Sequence, residues 1–189
     1  MGVNKKTNKL WIACFAIALI GKVNAQDVKF GVKLGMNVSS TLESQVNSLD
    51  PKTGFVFGVT SEFSLTEKIS LQPELLFSQQ GARESDGFTL DLNYITLPVM
   101  VKYYIVDGFS VEAGPQFSFL VKDEILNGAQ VTDVTANSFD LMANLGLGYQ
   151  FKNGLFFQTR YNLGLIDVNI SENLNIKNGV FQMSLGYQF

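Results

Sequence analysis

The chain contains no histidine and one cysteine in 189 residues. Without histidine it lacks the side chain most often used as a general base and as a metal ligand. A single cysteine, Cys14, rules out an internal disulfide. Lysine and arginine total 14 against 17 aspartates and glutamates, a balance that argues against a nucleic-acid partner, which would call for a basic face. Apolar runs are short as well. The one at residues 10–20 falls short of the ~20 residues that a transmembrane helix needs.

That run belongs to a secretory leader. Lys5, Lys6 and Lys9 form a positive n-region ahead of the apolar segment. Val23-Asn24-Ala25 then fits an Ala-x-Ala-like cleavage site. The expected division is a cleaved signal peptide at 1–25 and one mature domain at 26–189. Cys14 lies inside the apolar run, which continues past it through Phe15, Ile17 and Leu19. That argues against an acylated lipoprotein cysteine. Cleavage removes Lys5, Lys6, Lys9 and Lys22 but no acid, which takes the formal net charge from −3 to −7.

What the mature chain has in quantity is phenylalanine and glycine at strand-like spacing. Apolar residues alternate with polar or small ones in eight stretches: 28–37, 55–63, 69–78, 94–105, 109–121, 139–151, 155–165 and 181–189. In the first, Val28, Phe30, Val32, Leu34 and Met36 oppose Lys29, Gly31, Lys33, Gly35 and Asn37. In the last, Phe181, Met183, Leu185, Tyr187 and Phe189 oppose Gln182, Ser184, Gly186 and Gln188. The connections are short at 66–68, 106–108 and 152–154. They are long at about 39–52, 80–88, 122–137 and 166–178. Short turns at one end and long loops at the other mark a bacterial outer-membrane barrel. The expected fold class is therefore all-β: an eight-stranded antiparallel up-and-down transmembrane β-barrel with short periplasmic turns and four longer extracellular loops.

Turn chemistry supports the assignment of faces. Three-residue turns pair Ile105 with Phe109 and Phe151 with Leu155. They put Gly108 and Gly154 at the left-handed position of a type I turn with a G1 bulge. This register sets Lys102 opposite Glu112, Glu62 opposite Gln72 and Glu74 opposite Thr60. Pro73, Pro98 and Pro115 fall inside strands of a closed barrel, so bulges or local irregularity are expected there. Leu76 and Phe156 break the polar face.

A soluble lipocalin would hide its apolar face inside and show a charged surface. Here the polar face is mostly Gly, Ser, Asn and Gln, which suits a narrow interior better than solvent. Tyr103, Phe109, Tyr149, Phe151 and Tyr187 lie near strand ends, where an interfacial girdle sits. The membrane reading is preferred, with outer-membrane lipid as an expected partner. Lys33, Glu62, Glu74, Lys102, Glu112, Asp140 and Arg160 then point into the lumen. Two readings are open: a mutually paired structural network that plugs the lumen, or a gated conduit or relay. The cost of desolvating isolated charges favours the network.

Glu62 and Glu74 do not face each other in this register, which argues against a hydrolytic pair. No catalytic, cofactor-binding or metal-binding set emerges, and the expected protein is not an enzyme. Asp123, Glu124 and Asp133 in the third long loop read as a solvated acidic segment rather than a cation site. With Glu43, Asp50, Glu84, Asp86, Asp167 and Glu172 they make the outer rim negative. These loops are the expected place for a protein or ligand partner.

Four segments carry a family resemblance. They are Phe30-Gly31-Val32-Lys33-Leu34-Gly35-Met36-Asn37, Gln72-Pro73-Glu74-Leu75, Glu112-Ala113-Gly114-Pro115-Gln116 and Arg160-Tyr161-Asn162-Leu163-Gly164-Leu165. Together they make the chain similar to the PorT-like outer-membrane β-barrel domain family, small barrels often labelled "porin family". The resemblance covers nearly all of the mature sequence. It implies an eight-stranded outer-membrane barrel with Pro73, Pro98 and Pro115 as part of its pattern. It implies little about activity: the namesake takes part in type IX secretion, and no catalytic or ligand residues carry over. The closing strand, with Tyr187 and Phe189, resembles the C-terminal signal read by the barrel-assembly machinery.

The expected function is a non-enzymatic integral outer-membrane barrel with a side-chain-filled lumen. Its role would be envelope-structural or loop-mediated binding. A narrow channel or a secretion component is the alternative, and a soluble lipocalin-like binder is a third.

Overall fold

The computed structural model describes residues 28–41, 49–84, 88–127, 130–133, 138–165 and 178–189. The leader, its cleavage site and Cys14 lie outside the described residues. So do loop acids Glu43, Asp86, Asp167 and Glu172, and the side chains of Asp50, Glu84, Asp123, Glu124 and Asp133.

Each alternating stretch forms a strand: β1 (Val28–Thr41), β2 (Leu49–Ser64), β3 (Ile69–Glu84), β4 (Phe88–Val106), β5 (Phe109–Asn127), β7 (Phe139–Gln150), β8 (Leu155–Gly164) and β9 (Asn178–Gln188). Neighbours pair antiparallel in sequence order, and β9 returns to β1 with Leu34 opposite Leu185. The Phe189 amide donates to the Phe30 carbonyl at 2.9 Å, so the pairing continues to the last residue. The eight strands form a closed barrel.

Register fixes its dimensions. A path from Val38 through Phe181, Tyr161, Leu145, Ala113, Val101, Leu71 and Phe63 returns to β1 at Val28, ten residues from its start. A stagger of that size tilts the strands strongly, and eight strands leave an interior that side chains can fill.

The faces fall as the alternation requires. Phe30, Leu34, Phe57, Val101, Leu145, Leu185 and the other large outward apolar residues are exposed on the outer wall. Lys33, Glu74, Gln116, Asn144 and Arg160 are buried inside. Polar-in and apolar-out is the reverse of a lipocalin. Both turn glycines are left-handed as expected and Phe151 meets Leu155, but at the first turn Val106, not Ile105, stands opposite Phe109. Gly108 and Gly154 have φ of +79° and +90°. Gly154 N donates to Phe151 O at 3.1 Å, and Phe151 N to Leu155 O at 2.8 Å. At the other turn the bulge shows as a register shift between Tyr104 and Val106.

One expectation is met in its milder form and two need correction. First, the irregularity expected at Pro73, Pro98 and Pro115 is a gap in the ladder and not a bulge, since no register shift falls at any of them. The register is the same on both sides of each, with ladder pairs missing in between. The shifts lie between Pro51 and Val56, Asn93 and Tyr94, and Tyr104 and Val106. A proline needs only its own donor bond to be absent, so a gap is enough and no extra residue is required. Second, much of the supposed loops is strand. β2, β3, β4 and β5 run on toward the loop end, and β5 gains a short extra partner, β6 (Gln130–Asp133). Beyond an apolar band both faces can be polar, so the alternation fades while the ladder continues. Third, the interior is less polar than its sequence suggests. Leu92, Tyr94, Met142 and Val180 are fully buried there, beside Leu76 and Phe156. Phe156 fits because its register partner is Gly186, where a Cβ would fall on its ring.

Candidate functional site

The inward positions of seven barrel strands bring the charged residues into two clusters. The larger lies between β1, β3, β5 and β8. Arg160 grips Glu74 with both terminal nitrogens, Nη1 to Oε2 at 3.0 Å and Nη2 to Oε1 at 2.7 Å. Nη2 also reaches Glu112 Oε2 at 2.9 Å. Lys33 Nζ donates to Glu74 Oε2 at 2.7 Å. Gln72 and Gln158 complete it: Gln72 Nε2 donates to Glu74 Oε1 at 2.5 Å, and Gln158 Nε2 to Glu112 Oε2 at 3.2 Å. Arg160 has room because its partner on β7 is Gly146, where a Cβ would press on its side chain.

The smaller cluster sits near the short turns. Glu62 Oε2 accepts from Lys102 Nζ and Gln188 Nε2, each at 2.8 Å. Its Oε1 accepts from Ser70 Oγ at 2.7 Å and Tyr104 Oη at 2.6 Å. Glu62, Tyr104 and Gln188 also line a mouth of about 920 Å³ bounded by turn residues such as Lys68, Asp107 and Asn153.

Two cations balance two carboxylates in the first cluster, and one balances one in the second. Bidentate arginine and charge-assisted bonds give this arrangement strength and fixed geometry. Six of the seven lumen residues are thereby joined. Asp140, buried opposite Ser118 on β5, belongs to neither cluster. Lys102 does stand opposite Glu112 in register, but its ion pair is with Glu62. Interior side chains converge on the axis, so a long one can reach past its neighbour, and Glu112 is taken by Arg160. Gln72, Gln158, Gln188, Ser70 and Tyr104 were not expected in the network. Their place on the inward side of the alternation was the available signal.

Farther from the short turns the lumen is uncharged over one layer. Asn144 Nδ2 donates to Gln116 Oε1 at 2.9 Å, and Asn37 Nδ2 to Ser78 Oγ at 2.9 Å. Among the described residues no group of three or more His, Cys, Asp or Glu side chains could hold a metal ion. Each glutamate of the clusters is occupied by cationic or amide donors, which does not suit a carboxylate pair sharing a proton. On the outer wall Tyr149 and Phe151 make an edge contact with centroids 4.8 Å apart. Tyr187 and Phe189 are exposed at the same end.

Residues 24–169 match the family described as outer membrane protein β-barrel domain. The chain belongs to that family. The match stops short of β9, which the structure places in the same closed wall. Among solved structures, the attachment invasion locus protein Ail of Yersinia pestis aligns with a TM-score of 0.56 at 16% identity, over 85% of this chain and 98% of that one. Neisserial surface protein A aligns with a TM-score of 0.58 at 12% identity, over 86% and 97%. Ail in complex with the heparin analogue sucrose octasulfate gives 0.52 at 13% identity, over 86% and 97%. At these identities the likeness is one of fold. No curated protein matches the sequence. Family and wall together identify a small membrane-embedded barrel of the outer membrane.

Proposed function

We infer that the protein is a non-enzymatic, non-conducting outer-membrane barrel that holds a rigid wall and offers its outward strand extensions and loops to a partner. In this reading a leader at residues 1–25 directs export and is removed. Lys33, Glu62, Glu74, Lys102, Glu112 and Arg160 serve as a structural plug. Tyr187 and Phe189 engage the barrel-assembly machinery during insertion.

The observation that carries the reading is the pair of charge-balanced clusters spanning the lumen from β1, β2 and β3 to β5, β8 and β9. A conduit would need solvated charges, and these are buried and paired with each other. Single-channel recording of the refolded protein in planar bilayers tests this. We expect no unit conductance. Stable steps that vanish on substituting Arg160 or Glu74 would refute the plug.

A secretion or transport role as in PorT has its support in the sequence segments quoted above, and it is the second reading. The complex of Ail with a sulfated heparin analogue suggests a polyanion as one class of partner for such barrels. The net charge of −7 expected after cleavage makes a polyanion a poor partner for this one.

A further inference from the structure

A closed barrel has no free edge on which a proline can hide its missing donor. Register shows which ladder each proline breaks. Carried across each gap, the register sets Pro73 against Ser61 on β2, Pro98 against Glu74 on β3 and Pro115 against Val99 on β4. At each place the ladder skips two pairs. The gaps fall between Thr60–Glu74 and Phe63–Leu71, between Pro73–Val99 and Leu76–Thr96, and between Pro98–Gln116 and Val101–Ala113. The three gaps lie on one diagonal across β2, β3, β4 and β5. The other five ladders, including β5 with β7 through Pro115, run without a gap among the described residues.

Two further features coincide with this diagonal. Outside, an apolar groove lined by Phe30, Val59, Pro73 and Leu75 lies over the first gap. Inside, the three cluster carboxylates all stand on the broken sector: Glu62 on β2, Glu74 on β3 and Glu112 on β5. Lys33, Arg160, Gln158 and Gln188 reach them from β1, β8 and β9, which belong to the unbroken sector.

We propose that the lumen clusters are a cross-brace for the proline-broken sector, so that the brace takes over from the missing ladder bonds and β2–β5 is the part of the wall that opens first when it is removed. A plug alone would stabilise all eight strands alike. A brace acts on one sector and depends on the prolines.

Amide hydrogen exchange on the protein refolded in lipid nanodiscs separates the two. Arg160→Met should speed exchange at Glu62, Gln72, Leu75 and Met100 at least tenfold, with Leu147, Thr159 and Met183 within twofold of wild type. Equal acceleration in both sectors, or none, overturns the proposal. Lys33→Met removes a smaller part of the brace and should give the same pattern more weakly, which covers a failure of Arg160→Met to fold. In a Pro73→Val/Pro115→Val background, both changes on the lipid face, either substitution should affect β2–β5 at least tenfold less. An undiminished effect there overturns the link to the prolines.

Discussion

Replacing Lys102 with methionine discriminates between two partners for the same lysine. Register alone makes Glu112 the partner, because the two residues stand opposite each other on β4 and β5. The structure makes it Glu62, at 2.8 Å, with both side chains about 5% exposed or less. Removing one member of a buried pair costs about 3–5 kcal/mol, because the other charge is left behind. Glu62 keeps Ser70, Tyr104 and Gln188 as donors, so the low end applies. About 3 kcal/mol is a change of roughly 150-fold in the unfolding equilibrium. Urea unfolding of protein refolded in phospholipid vesicles would measure it. Lys102→Met/Glu62→Gln should recover most of the loss, since no net charge is stranded. Lys102→Met/Glu112→Gln should be no better than Lys102→Met, because it also strips Arg160 of a partner. Rescue by Glu112→Gln and not by Glu62→Gln would refute the crossing arrangement of side chains.

Other substitutions test the packing and the closing strand. Gly186→Leu puts a side chain where the Phe156 ring lies and should cost about 1–3 kcal/mol by overpacking. The same denaturation series reads it, and a wild-type midpoint would show that Phe156 does not occupy that space. Deleting Phe189 removes one bond to Phe30 and an outward ring. Insertion in cells should fall while the refolded protein keeps near-wild-type stability, and normal insertion would remove the assembly role.

The parts of the fold that are legible in the sequence share one physical origin. Successive strand residues point to opposite faces, so a period of two assigns each side chain to lipid or lumen without knowledge of its neighbours. Gly108 and Gly154 are equally legible, because the turn length demanded by the apolar faces also demands a left-handed residue. The strand extensions of β2–β5 are hidden because alternation weakens where both faces can be polar.

Sequence by itself determined the eight strands, their faces, the left-handed turn glycines and the inward set of charges, since all of these follow from local periodicity and turn length. The tertiary structure decided how that set is joined. A stagger of ten residues tilts the strands, so side chains meet across the lumen rather than along a ladder. It therefore joins Lys102 to Glu62, gives Arg160 two carboxylates and leaves Asp140 outside both clusters. The prolines divide the same way. Their presence inside strands is plain from the sequence, but only strand pairing shows that they break three adjacent ladders on one diagonal, across the lumen from the cations that hold Glu74 and Glu112.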